Sequence, residues 1–147
     1  MQRMWKIKME KKKVSIILFY DDKGNILLQD RKTYSKHGEE YGFFGGHSEE
    51  GESKEETLKR EIQEELNLNI KDLEDFRFFK QFHIKVPELN IETYRNVFLA
   101  KIPKKIEKLK INEGKLALMK FENSFNLKMV LGDVEILKEI YSILNKK

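Results

Sequence analysis

Residues 46–65 read Gly46-His47-Ser48-Glu49-Glu50-Gly51-Glu52-Ser53-Lys54-Glu55-Glu56-Thr57-Leu58-Lys59-Arg60-Glu61-Ile62-Gln63-Glu64-Glu65. From Ser53 the stretch predicts a helix running to Leu66. Ser53 is a capping residue, and Glu56 three positions on completes a capping box. Leu58, Ile62 and Leu66 recur every fourth residue and form one buried stripe. At about 100° per residue, Glu61, Glu64 and Glu65 occupy an adjacent arc of roughly 100° beside that stripe. They stand at the rim of the core, half sheltered and reachable from solvent. Three carboxylates this close repel one another, so a divalent cation is their natural occupant. Hard oxygen ligands favour Mg²⁺ or Mn²⁺ over Zn²⁺. The chain has no Cys, and its three His (His37, His47 and His83) show no ligand spacing, which points the same way.

The segment leading into the helix holds Gly45 and Gly46, which permit positive φ and close backbone approach. A helix N-terminus behind such a loop helps hold an anion. Loop and acidic turn together suit a metal ion holding a diphosphate. A solvated Lys/Glu-rich helix would explain abundant Glu, but not the fixed positions of Gly46, Arg60 and Ile62.

The register Gly-x5-Glu-x7-Arg-Glu-Ile-x-Glu-Glu resembles the Nudix box, the signature of hydrolases that cleave a nucleoside diphosphate linked to another group. The resemblance implies that Glu61, Glu64 and Glu65 bind Mg²⁺, with Mn²⁺ as a substitute and the Gly46 carbonyl as a further ligand. It implies that Arg60 pairs with Glu52 and braces the loop against the helix. Glu52 stays open between brace, metal ligand and base. Family members often carry an acidic residue in a later loop that helps bind metal or activate water, and Glu113 takes that place. The catalytic set is thus Glu52, Arg60, Glu61, Glu64, Glu65 and Glu113. Gly45 and Gly46 would meet substrate, with Tyr41 and Phe43 as pocket neighbours. Asp133, after Gly132, is most simply the N-cap of a last helix and by analogy a second candidate for contact with the base. Two departures stand out. Asn67 replaces the glycine usual after the glutamate pair, and Asn tolerates the left-handed conformation that ends helices. Tyr41-Gly42-Phe43-Phe44-Gly45-Gly46 lacks the proline of the family's frequent Trp-x-x-Pro-Gly-Gly.

Working outward, Val14–Tyr20 is a compact apolar run that predicts a buried strand. Residues 21–25 make a turn, and Ile26–Arg31 returns as the hairpin partner. Trp5, Ile7 and Met9 alternate with Lys6 and Lys8, which suggests a short edge strand ahead of them. Lys32–Glu40 reads as a loop. Further strands are expected near Asp75–Val86, Glu92–Ile102 and Leu116–Phe121. A last helix over Asp133–Asn145 would lay Val134, Ile136, Leu137, Ile140, Tyr141 and Leu144 along an apolar face. Strands interspersed with two helices predict a mixed α/β (α+β) protein. The resemblance specifies a Nudix-type α/β/α sandwich with a mixed central sheet. Residues 1–147 are read as a single domain of this kind, with 1–12 as an N-terminal extension or edge strand.

The net charge of +4 is modest, and the lysines of 11–13 and 101–115 have no aromatic platform, so nucleic acid is not expected as a partner. No apolar run approaches the length of a membrane span, and the basic start has no apolar core of a secretory signal. With zero cysteines this fits a cytoplasmic protein acting on a small nucleotide. Relatives often form homodimers, but no segment here identifies an interface. Subfamilies acting on dinucleoside polyphosphates or ADP-ribose often show Tyr or Pro about sixteen residues past the box. Here Phe82–Val86 fills that region, Pro87 comes late and Tyr94 lies far beyond. The resemblance therefore favours a nucleoside triphosphate, ordinary or oxidised, cleaved to nucleoside monophosphate and pyrophosphate. An ADP-ribose or nucleotide-sugar pyrophosphatase, an RNA 5′-end pyrophosphohydrolase and a non-catalytic nucleotide-binding module are the rival readings. The family's isomerase branch relies on a cysteine that is absent here.

Overall fold

The longest strands, β1 (Glu10–Tyr20) and β6 (Ile91–Lys101), lie parallel in unbroken register from Glu10 opposite Ile91 to Tyr20 opposite Lys101. The computed structural model describes residues 8–33, 35, 38–106, 109, 111 and 114–145. Around this pair run β2 (Asn25–Asp30), β3 (Tyr41–Gly42), β4 (Phe44–His47), β5 (Arg77–Val86) and β7 (Lys115–Lys120), all in antiparallel pairings. The sheet is mixed, in the order β3-β2-β1-β6-β5, with β4 on β1 and β7 on β2. The central strands are covered on both faces, so Ile17, Leu18 and Phe19 are fully buried in succession and the strand reads as a continuous apolar run.

Helix α1 (Lys54–Leu66) covers one face and α2 (Asp133–Leu144) the other. Under α1 lie Ile17, Phe19, Leu27, Phe44, Phe98 and Ala100, joined by Leu58, Ile62 and Leu66 of the helix. Under α2 lie Leu18, Ile26, Leu28, Val97 and Leu99 with Ile136, Leu137 and Ile140. This is the α/β/α sandwich with a mixed sheet expected from the sequence. Tyr141 and Leu144 pack against the second cluster, whereas Val134 is half-buried outside it.

The capping box forms as read. Ser53 Oγ accepts from the Glu56 amide at 3.1 Å, and Glu56 Oε1 accepts from the Ser53 amide at 2.9 Å. Asn67 ends α1 in the left-handed conformation, with φ of 53°.

Three readings need correction. Residues 10–12 belong to β1, because the backbone ladder with β6 continues past the point where side chains become exposed. No strand includes Lys8 or Met9, and Trp5 and Ile7 lie outside the described residues. The glycine-rich segment is a short strand, β4, rather than a loop, with Gly46 opposite Ser15 and Gly45 opposite Ile16. A Cβ on Gly45 would meet the Ser15 carbonyl oxygen at 2.0 Å, so only glycine lets the two backbones approach this closely. Asp133 does not cap α2. Gly132 occupies that position, and Asp133 begins the helix with its side chain buried.

Candidate active site

Strand β4 holds Gly45 and Gly46 between β1 and the exposed rim of α1. The position of Gly46 places its Cα beneath the Glu61 carboxylate, where an added Cβ would be 2.5 Å from Cδ. The Gly45 N–H donates to Glu65 Oε1 at 2.8 Å, and the Gln29 amide donates to Oε2 at 3.4 Å. Burial pushes the Glu65 carboxyl up to about 7, and the Glu61 charge adds to this against the Gly45 and Gln29 donors. Burial also raises Glu61, against the hydrogen bond from Arg60. Glu64, with a side chain 60% exposed, is the outermost of the three.

Arg60 does more than the brace expected of it. Its Nε donates to Glu52 Oε2 at 2.8 Å and its Nη2 to Glu52 Oε1 at 3.0 Å, a bidentate clamp. Nη2 also donates to the His47 carbonyl at 2.9 Å, and Nη1 to Glu61 Oε1 at 2.9 Å. One guanidinium thus ties the end of β4, the loop and an acidic residue of the helix together. Glu52 further accepts from the Glu49 amide at 2.7 Å and from buried Thr57 Oγ1 at 3.1 Å. The Arg60 guanidinium, with help from the Glu49 amide, holds the Glu52 carboxyl down to about 2.

That depression has a stability consequence. A carboxylate whose folded pKa lies below its unfolded 4.5 stabilises the fold above pH 4.5, and the contribution is lost as pH falls through about 2. Glu52→Gln should therefore melt below the parent at pH 7, and the gap in Tm should narrow on acidification below pH 4.5. A gap unchanged between pH 7 and the lowest pH at which both variants fold would contradict the charged clamp.

On the sheet, Arg31 Nη1 donates to Gln29 Oε1 at 3.2 Å, while its Nε faces Glu39 Oε1 at 3.5 Å. Gln29 and Glu39 are both buried. Burial raises both Glu65 and Asp133, and the Arg31 charge works against it in each. Sequence reasoning missed Gln29, Arg31, Glu39 and Thr57.

The other expected residues fall apart from this cluster. Phe43 is 4% exposed within the core beneath α2, so its ring is a packing element, not an open pocket wall. Tyr41 is half-buried, and its hydroxyl accepts from Lys32 Nζ at 3.1 Å. Asp133 accepts from Arg95 Nη1 in a buried pair; burial pushes the Asp133 carboxyl up to about 6 despite that guanidinium. Arg95 is held in turn by Thr93 Oγ1 at 2.8 Å and the Leu131 carbonyl at 2.7 Å. Asp133 is thus committed to the inside of the fold. Glu113 lies outside the described residues.

Residues 9–133 match the NUDIX domain family model, and the chain belongs to that family. It is a hydrolase of pyrophosphate bonds. Among solved structures, the MutT protein from Methanosarcina mazei Go1 superposes with a TM-score of 0.74 at 16% identity, covering 96% of this chain and 100% of that one. The E. coli ORF135 protein gives 0.70 at 20% identity, with 93% of both chains covered. A NUDIX hydrolase from Nitrosomonas europaea gives 0.70 at 16%, covering 93% of this chain and 92% of that one. These likenesses speak to the fold. No curated protein matches the sequence significantly. Among the described residues no helix is long and apolar enough to cross a membrane.

Proposed function

We propose that this protein is a Mg²⁺-dependent pyrophosphohydrolase whose preferred substrate is a nucleoside triphosphate, ordinary or oxidised, cleaved to nucleoside monophosphate and pyrophosphate. The observation that carries this reading is the seating of the Glu61 carboxylate over Gly46, in space that any other residue's Cβ would fill, beside a Glu65 anchored by the Gly45 amide. All the donors are oxygens, which suits Mg²⁺ or Mn²⁺.

Glu61, Glu64, Glu65 and the Gly46 carbonyl are the groups that would hold the ion. Among the described residues no three acidic or histidine side chains are gathered closely enough to hold an ion by themselves. A magnesium site takes few protein carboxylates and fills its other positions with water and substrate phosphates. Bound there, the ion would offset charge on the diphosphate and make water more acidic.

The chain's own residues supply the rest. Arg60 fixes Glu61 and the end of β4, and so sets the distance between loop and helix. Glu52, with both oxygens engaged by Arg60 and its carboxyl held near 2, is a poor proton acceptor at neutral pH. This supports bracing as its role and leaves a helix glutamate, or Glu113, to accept the proton of the attacking water. The displaced Pro87 and Tyr94 favour a nucleoside triphosphate over ADP-ribose or a dinucleoside polyphosphate.

The test is release of phosphate or pyrophosphate with Mg²⁺ over nucleoside triphosphates, oxidised dNTPs, ADP-ribose, nucleotide sugars and dinucleoside polyphosphates. Triphosphates should turn over best, and EDTA should stop the reaction. Preference for ADP-ribose or a nucleotide sugar would replace the substrate, and turnover unaffected by EDTA would remove the metal.

A further inference from the structure

Strand β2 is apolar through Ile26, Leu27 and Leu28, all fully buried, and then places Gln29 in the interior with no exposure at all. Alternation along the strand sends Gln29 to the same face as Leu27, which packs beneath α1. Its strand neighbours are Gly42 on one side and Leu116 on the other, and Leu116, partly buried, packs against that apolar cluster. A leucine at position 29 would extend the cluster without desolvating an amide, so core packing gives no reason for glutamine here.

Among the described residues the amide holds two groups. Its Nε2 donates to Glu65 Oε2 at 3.4 Å, and its Oε1 accepts from Arg31 Nη1 at 3.2 Å. Glu65 Oε1 already accepts from the Gly45 amide, so the two carboxylate oxygens are held by donors on two different strands, β4 and β2. Arg31 in turn fixes the orientation of the amide, since only its carbonyl end can accept from a guanidinium.

We propose that Gln29 is a positioning residue for Glu65, fixing the carboxylate in the orientation that receives the divalent ion. The inference rests on the metal-binding reading of Glu65 given above. Groups that orient metal ligands in this way are worth about 10- to 100-fold in metal affinity.

The experiment is a Mn²⁺ titration followed by EPR of the free ion, on the whole chain without substrate, for the parent, Gln29→Met, Glu65→Gln and the double variant. Gln29→Met should weaken Mn²⁺ binding about 10-fold in the parent but change it less than twofold in the Glu65→Gln background. Melting in EDTA checks that the fold survives, and Gln29→Leu gives the same comparison should the Met variant not fold. Equal losses in both backgrounds, or no loss in either, would overturn the positioning role. Should Glu65→Gln itself leave Mn²⁺ affinity unchanged, the metal-binding reading of Glu65 fails and the inference with it. Weakening by Glu65→Gln without weakening by Gln29→Met removes the inference alone.

Discussion

Glu65→Gln should lower turnover about 10³-fold, or about 4 kcal/mol of transition-state stabilisation, while the metal-free protein keeps its fold. Gln matches Glu in shape, and its amide oxygen can still accept from the Gly45 N–H that Glu65 Oε1 now engages. What is lost is the charge that would face the ion. The same charge destabilises the metal-free fold, because burial pushes the Glu65 carboxyl up to about 7 from 4.5. The sign follows from linkage. Relative to the unfolded chain, Glu65 is most favourable below pH 4.5, and that advantage is lost as pH rises through about 7. In EDTA at pH 8 the variant should melt no lower than the parent, and any gain should fade toward pH 4.5. Turnover within tenfold of the parent, measured with saturating Mg²⁺, would contradict the role given to Glu65.

Two adjacent glycines should respond in opposite ways. Gly45→Ala puts a methyl group 2.0 Å from the Ser15 carbonyl oxygen and 2.8 Å from Ile16 Cα, at a φ of 131°. Both obstacles are backbone, so β4 must leave β1 or strain, at a cost of about 3–5 kcal/mol. Tm should fall by roughly 10 °C. Gly46→Ala instead meets the end of the Glu61 side chain, with Cδ at 2.5 Å, and that carboxylate can swing away. Its Tm in EDTA should stay close to the parent's, while turnover drops about 100-fold through misplacement of a single carboxylate. Equal effects of the two substitutions on stability would contradict the placement of β4 between β1 and α1.

Helix α1 was legible because its information is local. The Ser53–Glu56 box, the Leu58–Ile62–Leu66 stripe and the Asn67 terminus all lie within one short stretch, and each forms as read. Strand β1 showed itself over Val14–Tyr20 as an apolar run, since burial on both faces suppresses alternation. Strand β4 did not, because Phe44-Gly45-Gly46-His47 carries turn residues whose reason is the nearness of Ser15 and Ile16 in β1. Asp133 looked like a cap because it follows glycine. Arg95, 38 residues earlier, draws it inside, and no local pattern announces that. Gln29 and Glu65 are 36 residues apart and meet only once β2 passes under the end of α1. Phe43 lies beside the glycines in sequence, yet the pleat turns it into the core beneath α2.

The central claim is that the helix carboxylates of this chain direct water to a nucleoside diphosphate linkage. Phosphorus NMR of a nucleoside triphosphate incubated with the protein and Mg²⁺ tests it most directly. The account predicts nucleoside monophosphate and pyrophosphate as the products, with the signal lost in Glu65→Gln. Release of orthophosphate with a nucleoside diphosphate, or the same products at an undiminished rate in Glu65→Gln, would contradict it.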